Sequence, residues 1–390
     1  MNVAGIIAEY NPFHQGHAFH LAQAKAISEA DYTVVAMSGY FVQRGAPAMF
    51  DPFARAKAAL LNGADLVLEL PPDTSTGSAE YFASGAVTLL EQTGIVTDLC
   101  FGSECADLSL LARPAAVLAD EPDAYRICLK EFLKTGIPYP KAKTEALRCY
   151  DPSIDTKVLA EPNNLLGLEY LKALMRSGSS VRPHTIHRIG ARYHAQQITQ
   201  YASAESLRRT FTEQNGVFTP EIRAQLPSWE VYRAYDQKTP ITEDAFSLLL
   251  LEKLRRTPGE SFSRYFGVTE ELSNRILNCL DDFVSFSQFT DLLKTRNLTR
   301  TAVSRALTHI LLDLHDYRPP RVLRVLGFRK EASVLLKELS AHSRLPVVTS
   351  PAGTDLPDDW LYADRLYESV RSLLHHTPYP NPRRRKMLAL

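Results

Sequence analysis

Three histidines crowd one short stretch of this chain, AEYNPFHQGHAFHL, at positions 14, 17 and 20. His14 and His17 flank Gly16, and Pro12 precedes them. Imidazoles three residues apart can face one group above a helix N-terminus and donate hydrogen bonds to phosphate oxygens as charge builds in a transition state. Gly16 has no Cβ, so a ligand can approach its backbone. Two histidines at this spacing can also hold a metal ion, but that needs further ligands, and no downstream carboxylate cluster has ligand-like spacing. A phosphate site is the stronger reading. His20 lies three residues further on, as a supporting or core residue.

The elements that must position these groups can be traced from four apolar runs. VAGIIAE, TVVAM, DLVLEL and TDLCFG begin at Val3, Thr33, Asp65 and Thr97. Their period of about 32 residues is that of a strand, a crossover helix and loops. Strands apolar throughout fit a parallel sheet covered on both faces. Between the second and third runs, Asp51 is the expected N-cap of a helix, with Pro52 at its first position and Gly63 just past its end. Pro12 disfavours helical geometry at Asn11, so His14 and His17 fall at the first strand-to-helix turn. That turn is the usual phosphate site of an open α/β sheet.

After about residue 196 the strand signal fades and helical patterns dominate, interrupted by RPPRVLRVLGF (318–328), which reads as a strand or a tight connection. The expected division is an α/β domain over 1–195 and a mostly helical, locally basic domain over 196–390, ending in a flexible tail. Formal net charge is zero, but residues 196–390 carry 27 Lys+Arg against 23 Asp+Glu. Residues 290–330 hold nine basic groups and three acids, which fits a phosphate-contacting face as well as a merely solvated one. Lys294, Arg296, Arg300, Arg321 and Arg324 are the candidates there; Arg383, Arg384, Arg385 and Lys386 in the tail are a second group. Five cysteines with no C-x-x-C pair suggest reduced thiols. No secretory leader or membrane-length apolar run is present, and a cytoplasmic protein is expected.

H-x-G-H after a first strand is the signature of the HIGH-type nucleotidyltransferases. Taken with MSGYFVQRGAPAMFDPFARAKAALLNGADLVLELP, FGSE and YASAESLR, the chain closely resembles the bacterial tRNA(Met) cytidine acetate ligase family over at least residues 1–210. The resemblance implies a Rossmann-like nucleotidyltransferase parallel-sheet domain followed by a mostly α-helical domain. It implies an enzyme that activates acetate with ATP to acetyl-adenylate, then acetylates N4 of the wobble cytidine of elongator tRNA(Met). Mg²⁺ is expected on the polyphosphate without a recognisable protein motif. The alternative is an adenylyltransferase or acid-activating ligase that acts on a small molecule without RNA.

Carried over by residue, the resemblance assigns the ATP cradle to Ile7, Ala8, Glu9, Tyr10, Asn11, Pro12, Phe13, His14, Gln15, Gly16, His17, Ala18, Phe19 and His20. Gly102 would pack against adenosine, and Asn163 and Arg188 would reach the nucleotide. The bland alternatives are a turn glycine, a helix N-cap and a solvated arginine. In SAESLRR, Ser203 is the expected cap, with Ser206 and Arg208 on the β,γ-phosphates. His14, His17 and Arg208 are the expected catalytic groups. Glu205 and Leu207 depart from the family pattern; Glu205 would sit near phosphate unless it points away or completes a capping interaction. Gln43 and Arg44, in the loop after the second strand, are candidates for the acetate or tRNA side.

Overall fold

The computed structural model describes residues 1–188, 202–256, 261–352 and 356–390. The strands are β1 (Val3–Ala8), β2 (Tyr32–Ser38), β3 (Phe41–Val42), β4 (Ala46–Pro47), β5 (Leu66–Leu70), β6 (Asp98–Ser103), β7 (Arg182–His187), β8 (Leu323–Phe328), β9 (Val347–Val348) and β10 (Leu388–Ala389). The first-half helices are α1 (Gln15–Ile27), α2 (Pro52–Leu61), α3 (Pro72–Ser75), α4 (Ala79–Gln92), α5 (Leu108–Asp120), α6 (Asp123–Lys134), α7 (Tyr139–Tyr150) and α8 (Pro162–Ser177). Then come α9 (Ala204–Glu213), α10 (Pro220–Gln225), α11 (Ser247–Arg255), α12 (Glu270–Cys279), α13 (Phe286–Leu293), α14 (Arg300–Leu312), α15 (Val334–His342) and α16 (Asp358–His375).

The main sheet runs β10-β8-β5-β2-β1-β6-β7, with β9 beside β8. The strands from β5 to β7 are parallel; Ile6 sits between Val35 of β2 and Cys100 of β6. The chain winds one way from β1 to β2 and β5, then returns past β1 to β6 and β7. The switch point lies between β1 and β6, where open sheets bind ligands beyond their carboxyl ends. Alternation puts Val35 and Met37 in one core, with α1, α2 and much of the second-half helical layer, and Val34 and Ala36 in the other, with α4, α5 and α8. Two covered faces are why the strands are apolar at every position. Asp51 caps α2 as expected, accepting from the N–H of Phe53 at 2.8 Å and of Ala54 at 3.0 Å.

One open reading is settled and two expectations are corrected. RPPRVLRVLGF contains a true strand: β8 pairs antiparallel with β5, so the sheet draws on chain from both sides of residue 196. The C-terminal segment, expected to be a flexible tail, is docked. Its β10 pairs with β8, and Arg385 bridges Asp51 at 3.0 Å and Glu368 at 2.8 Å. Cys128 on α6 and Cys149 on α7, read as reduced thiols, are joined in a disulfide. Among the described residues, no helix is long and apolar enough to cross a membrane.

Candidate active site

His14 is the N-cap of α1. Its Nδ1 accepts from the N–H of Gly16 at 3.1 Å, and His17 Nδ1 accepts from the N–H of His14 at 3.3 Å. The two rings therefore form a reciprocal capping box, a role more often filled by Ser/Thr and Glu, and lie 3.7 Å apart between centroids. With Nδ1 accepting, each neutral ring carries its proton on Nε2. Burial lowers His14 to about 3, with the charges of Arg188 and Arg208 adding to the effect. Burial, then His14, lowers His17 well below the usual histidine value. Both imidazoles are thus neutral Nε2–H donors at the N-terminus of a helix, where backbone N–H groups and the helix dipole favour an anion.

The space a Cβ would take at Gly16 is filled by the His14 ring, whose Cε1 would lie 2.9 Å away. Gly16 thus frees the His14 ring as well as the backbone. His20 is a third imidazole, half-buried and lowered to about 4 by burial and then Arg188. Its Nε2 has no hydrogen-bond partner among the described residues.

The turn is pinned from several directions. Tyr10 is buried yet left-handed, at φ 49°, a strained backbone for a bulky residue. Arg55 of α2, fully buried, donates to the carbonyl of Glu9 at 2.5 Å just before it. The same guanidinium donates to Phe50 O at 2.9 Å and to Gly39 O. One cation thus ties the chain ends leaving β1 and β2 to the start of α2. Asn11 Oδ1 accepts from the N–H of Met49 at 2.9 Å, and Tyr232 Oη accepts from the N–H of Phe13 at 3.2 Å. Neither Arg55 nor Tyr232 was singled out from sequence. The signal at Arg55 was its position one turn before Ala58 and Ala59 on the apolar face of α2.

The expected nucleotide residues gather around this turn. Arg208 of α9 donates to Asn11 O at 2.6 Å, and burial works against its charge. Ser203 caps α9, accepting from the N–H of Ser206 at 3.1 Å. Ser206 turns its hydroxyl to Ser203 O at 3.0 Å, inside the first turn of its own helix. Glu205 pairs with Arg44 at 3.0 Å, and Glu9 accepts from the N–H of Gln43 at 2.9 Å; the loop after β2 therefore borders the same site. Arg188, just past β7, donates to Asn163 Oδ1 at 2.6 Å. Its stem crosses Gly102, where a Cβ would lie 3.0 Å from Arg188 Cγ. The N-cap of α8 is Glu161 rather than an asparagine. The rest of the stretch linking Arg188 to α9, residues 189–201, lies outside the described residues.

The basic candidates do not form one face. Lys294, Arg296, Arg300 and Arg321 are exposed, and Arg300 pairs with Asp291 and Glu243. Arg324, expected to contact phosphate, is instead buried on β8 and ion-paired with Glu69 at 3.0 Å and Asp364 at 2.7 Å. The strand is buried at every position from Leu323 to Gly327, so Arg324 lies in the core. Of the tail cations, Arg383, Arg384 and Lys386 are exposed and Arg385 is committed to its two carboxylates.

Residues 1–381 match the family model HIGH Nucleotidyl Transferase. The chain is 36% identical to the tRNA(Met) cytidine acetate ligase of Halothermothrix orenii over 99% of its own length and 97% of that protein. It is 39% identical to the tRNA(Met) cytidine acetate ligase of Acetivibrio thermocellus over 89% of its own length and 88% of that protein. The crystal structure of Thermotoga maritima TmcAL bound with alpha-thio ATP superposes at a TM-score of 0.87, with 31% identity and all of both chains covered. With the switch-point turn built around His14, Gly16 and His17, these likenesses place the protein: the chain belongs to the HIGH nucleotidyl transferase family and to the family of tRNA(Met) cytidine acetate ligases.

Proposed function

We propose that this chain activates acetate with ATP and transfers the acetyl group to N4 of the wobble cytidine of elongator tRNA(Met). The observation that carries the reading is the pair of neutral imidazoles at the start of α1, each engaged through Nδ1 and, among the described residues, with no hydrogen bond at Nε2. An acetate oxygen attacks the α-phosphorus in line, the bond to the β-phosphate oxygen breaks, and pyrophosphate leaves. Acetate and ATP are both anions, so donors must stand where charge accumulates. His14 and His17 bind the phosphate oxygens from below the N-terminus of α1. Arg208 and Arg188 add charge from α9 and from the end of β7. Ser203 and Ser206 keep the first turn of α9 in place, and Gly102 leaves room for the Arg188 stem at the carboxyl end of β6.

In the second step cytidine N4 attacks the acetyl carbon, the acyl–phosphate bond breaks, AMP leaves and N4 gives up a proton. The leaving group is good, so this step demands positioning more than a strong base. Acetyl-adenylate hydrolyses readily, and a site closed to water serves it. Gln43 and Arg44, on the loop bordering the site, serve the acetate or tRNA side. Among the described residues, no group of three or more His, Cys, Asp and Glu side chains could hold a metal ion. Mg²⁺ would ride on the polyphosphate and offset its charge. Lys294, Arg296, Arg300 and Arg321, with Arg383, Arg384 and Lys386, supply exposed positive charge for tRNA phosphates.

Incubation of bulk tRNA with the protein, ATP and isotope-labelled acetate, followed by mass spectrometry of nucleosides, tests the reading. Labelled N4-acetylcytidine supports it. Acetate-dependent pyrophosphate exchange with no labelled nucleoside would transfer the activity to a small-molecule acceptor and overturn the RNA step.

A further inference from the structure

The FGSE segment closes β6 and runs on into Glu104, a residue with no part so far in the chemistry. We propose that Glu104 is a positioning residue for nucleotide binding: its carboxylate sets the Asn163 amide, which holds the Arg188 guanidinium beside the crossover turn. The proposal rests on reading Arg188 as a nucleotide ligand.

Glu104 Oε1 accepts from the N–H of Asn163 at 3.3 Å and from Asn163 Nδ2, while Oε2 accepts from the N–H of Asn164 at 2.8 Å. The two backbone donors are orphans of the first turn of α8, whose N-cap makes no side-chain hydrogen bond. Because Nδ2 faces Glu104, Oδ1 of the same amide must face the other way, and there it accepts from Arg188 Nη1. The backbone that carries the carboxylate is itself held, since Asn164 Oδ1 accepts from the N–H of Glu104 at 2.9 Å and of Cys105 at 3.1 Å. The far end of the relay lies beside the proposed phosphate site, because the position a Cβ would take at Gly102 is 3.0 Å from Arg188 Cγ and 3.8 Å from His20 Cδ2; the Arg188 charge bears on His14, His17 and His20 alike.

A carboxylate can accept from all three donors. A glutamine cannot, since its own NH₂ would face one of the N–H groups. Simple electrostatics predicts the opposite sign: Glu104 is a negative charge near a bound polyanion, and neutralising it alone would tighten ATP. The sign of the change therefore separates positioning from counter-charge.

The test is a double-mutant cycle on the full chain, with ATP affinity measured by calorimetry in the absence of acetate and thermal melts run in parallel. Arg188→Ala is expected to weaken ATP binding. Glu104→Gln is expected to weaken it by about tenfold in the wild-type background, and by less than about twofold once Arg188 is alanine. Unchanged or tighter binding in Glu104→Gln, or a loss that adds in full to that of Arg188→Ala, would overturn the relay. Unchanged binding in Arg188→Ala would instead overturn the reading of Arg188 as a ligand. Should Glu104→Gln not fold, Glu104→Asp keeps the charge but shortens the reach to Asn163 Nδ2. It is expected to show the same coupled loss, and wild-type affinity in it would overturn the relay as well.

Discussion

The turn between β1 and α1 and the basic stretch at 290–330 both crowd one residue type into a short span, and they resolve in opposite ways. In the turn, the histidines converge. Spacing, the switch point and the capping box put His14 and His17 ring against ring, Arg208 donates to Asn11 O in the same turn, and Arg188 and His20 meet at Gly102. In the basic stretch the cations disperse. Arg324 is buried between two carboxylates, Arg300 is paired twice, and Arg329 pairs with Asp65 and Glu331. A count of charge carries no direction. A motif anchored to a strand end does, because the backbone there fixes where its side chains point.

The largest effect expected from this contrast is on stability. Arg324→Ala leaves Glu69 and Asp364 buried without their cation; burial already pushes Glu69 up to about 7 with the arginine present. Denaturant unfolding should show a loss of about 3–5 kcal/mol, with the salt dependence of tRNA binding unchanged in whatever protein remains folded. A shallower salt slope would return Arg324 to the RNA surface. Next, His14→Ala or His17→Ala should lower acetate-dependent pyrophosphate exchange by roughly 10²–10³, as for loss of an oxyanion donor. Near-normal exchange in either variant would take that ring out of the chemistry.

A smaller effect belongs to the exposed cations. Arg296→Ala and Arg321→Ala should each weaken tRNA binding without altering pyrophosphate exchange, and lower the slope of log affinity against log salt by about 1 if each meets a phosphate. Unchanged slopes would mark them as solvated surface. The smallest effect is on pH dependence. An unfolded histidine titrates near 6.5, whereas burial holds His14 at about 3. Between those values the unfolded chain binds a proton that the folded chain refuses. The His14 contribution is thus intact above about pH 6.5 and stability is lost as pH falls below it. The melting temperature of ligand-free protein should drop more between pH 7.5 and 5 than that of His14→Gln. Equal drops would show that the ring titrates freely when folded.

Much of the parallel sheet and the crossover turn was legible in the sequence, because apolar runs at a steady interval and an N-cap followed by proline are local signals. The strand β8 was half legible: its apolar pattern was visible, but its antiparallel seat against β5 depends on residues some 250 positions away. That seat also decides which way Arg324 points. The docked C-terminus was hidden for the same reason, since Arg385 is held by Asp51 and Glu368. The candidate ATP residues were named through the motif and the family resemblance. Their supports, Arg55, Tyr232 and Glu104, were not. Each acts on backbone groups or an amide far away in sequence, and such contacts leave no local pattern.

The claim on which the rest depends is that two neutral rings at the start of α1 receive the triphosphate through Nε2. A crystal structure of this protein with a non-hydrolysable ATP analogue reads it directly. The expected result has Nε2 of both His14 and His17 within about 3.2 Å of phosphate oxygens, with Arg188 and Arg208 on the same ligand. An analogue bound elsewhere, or phosphates that leave both Nε2 atoms untouched, would contradict it.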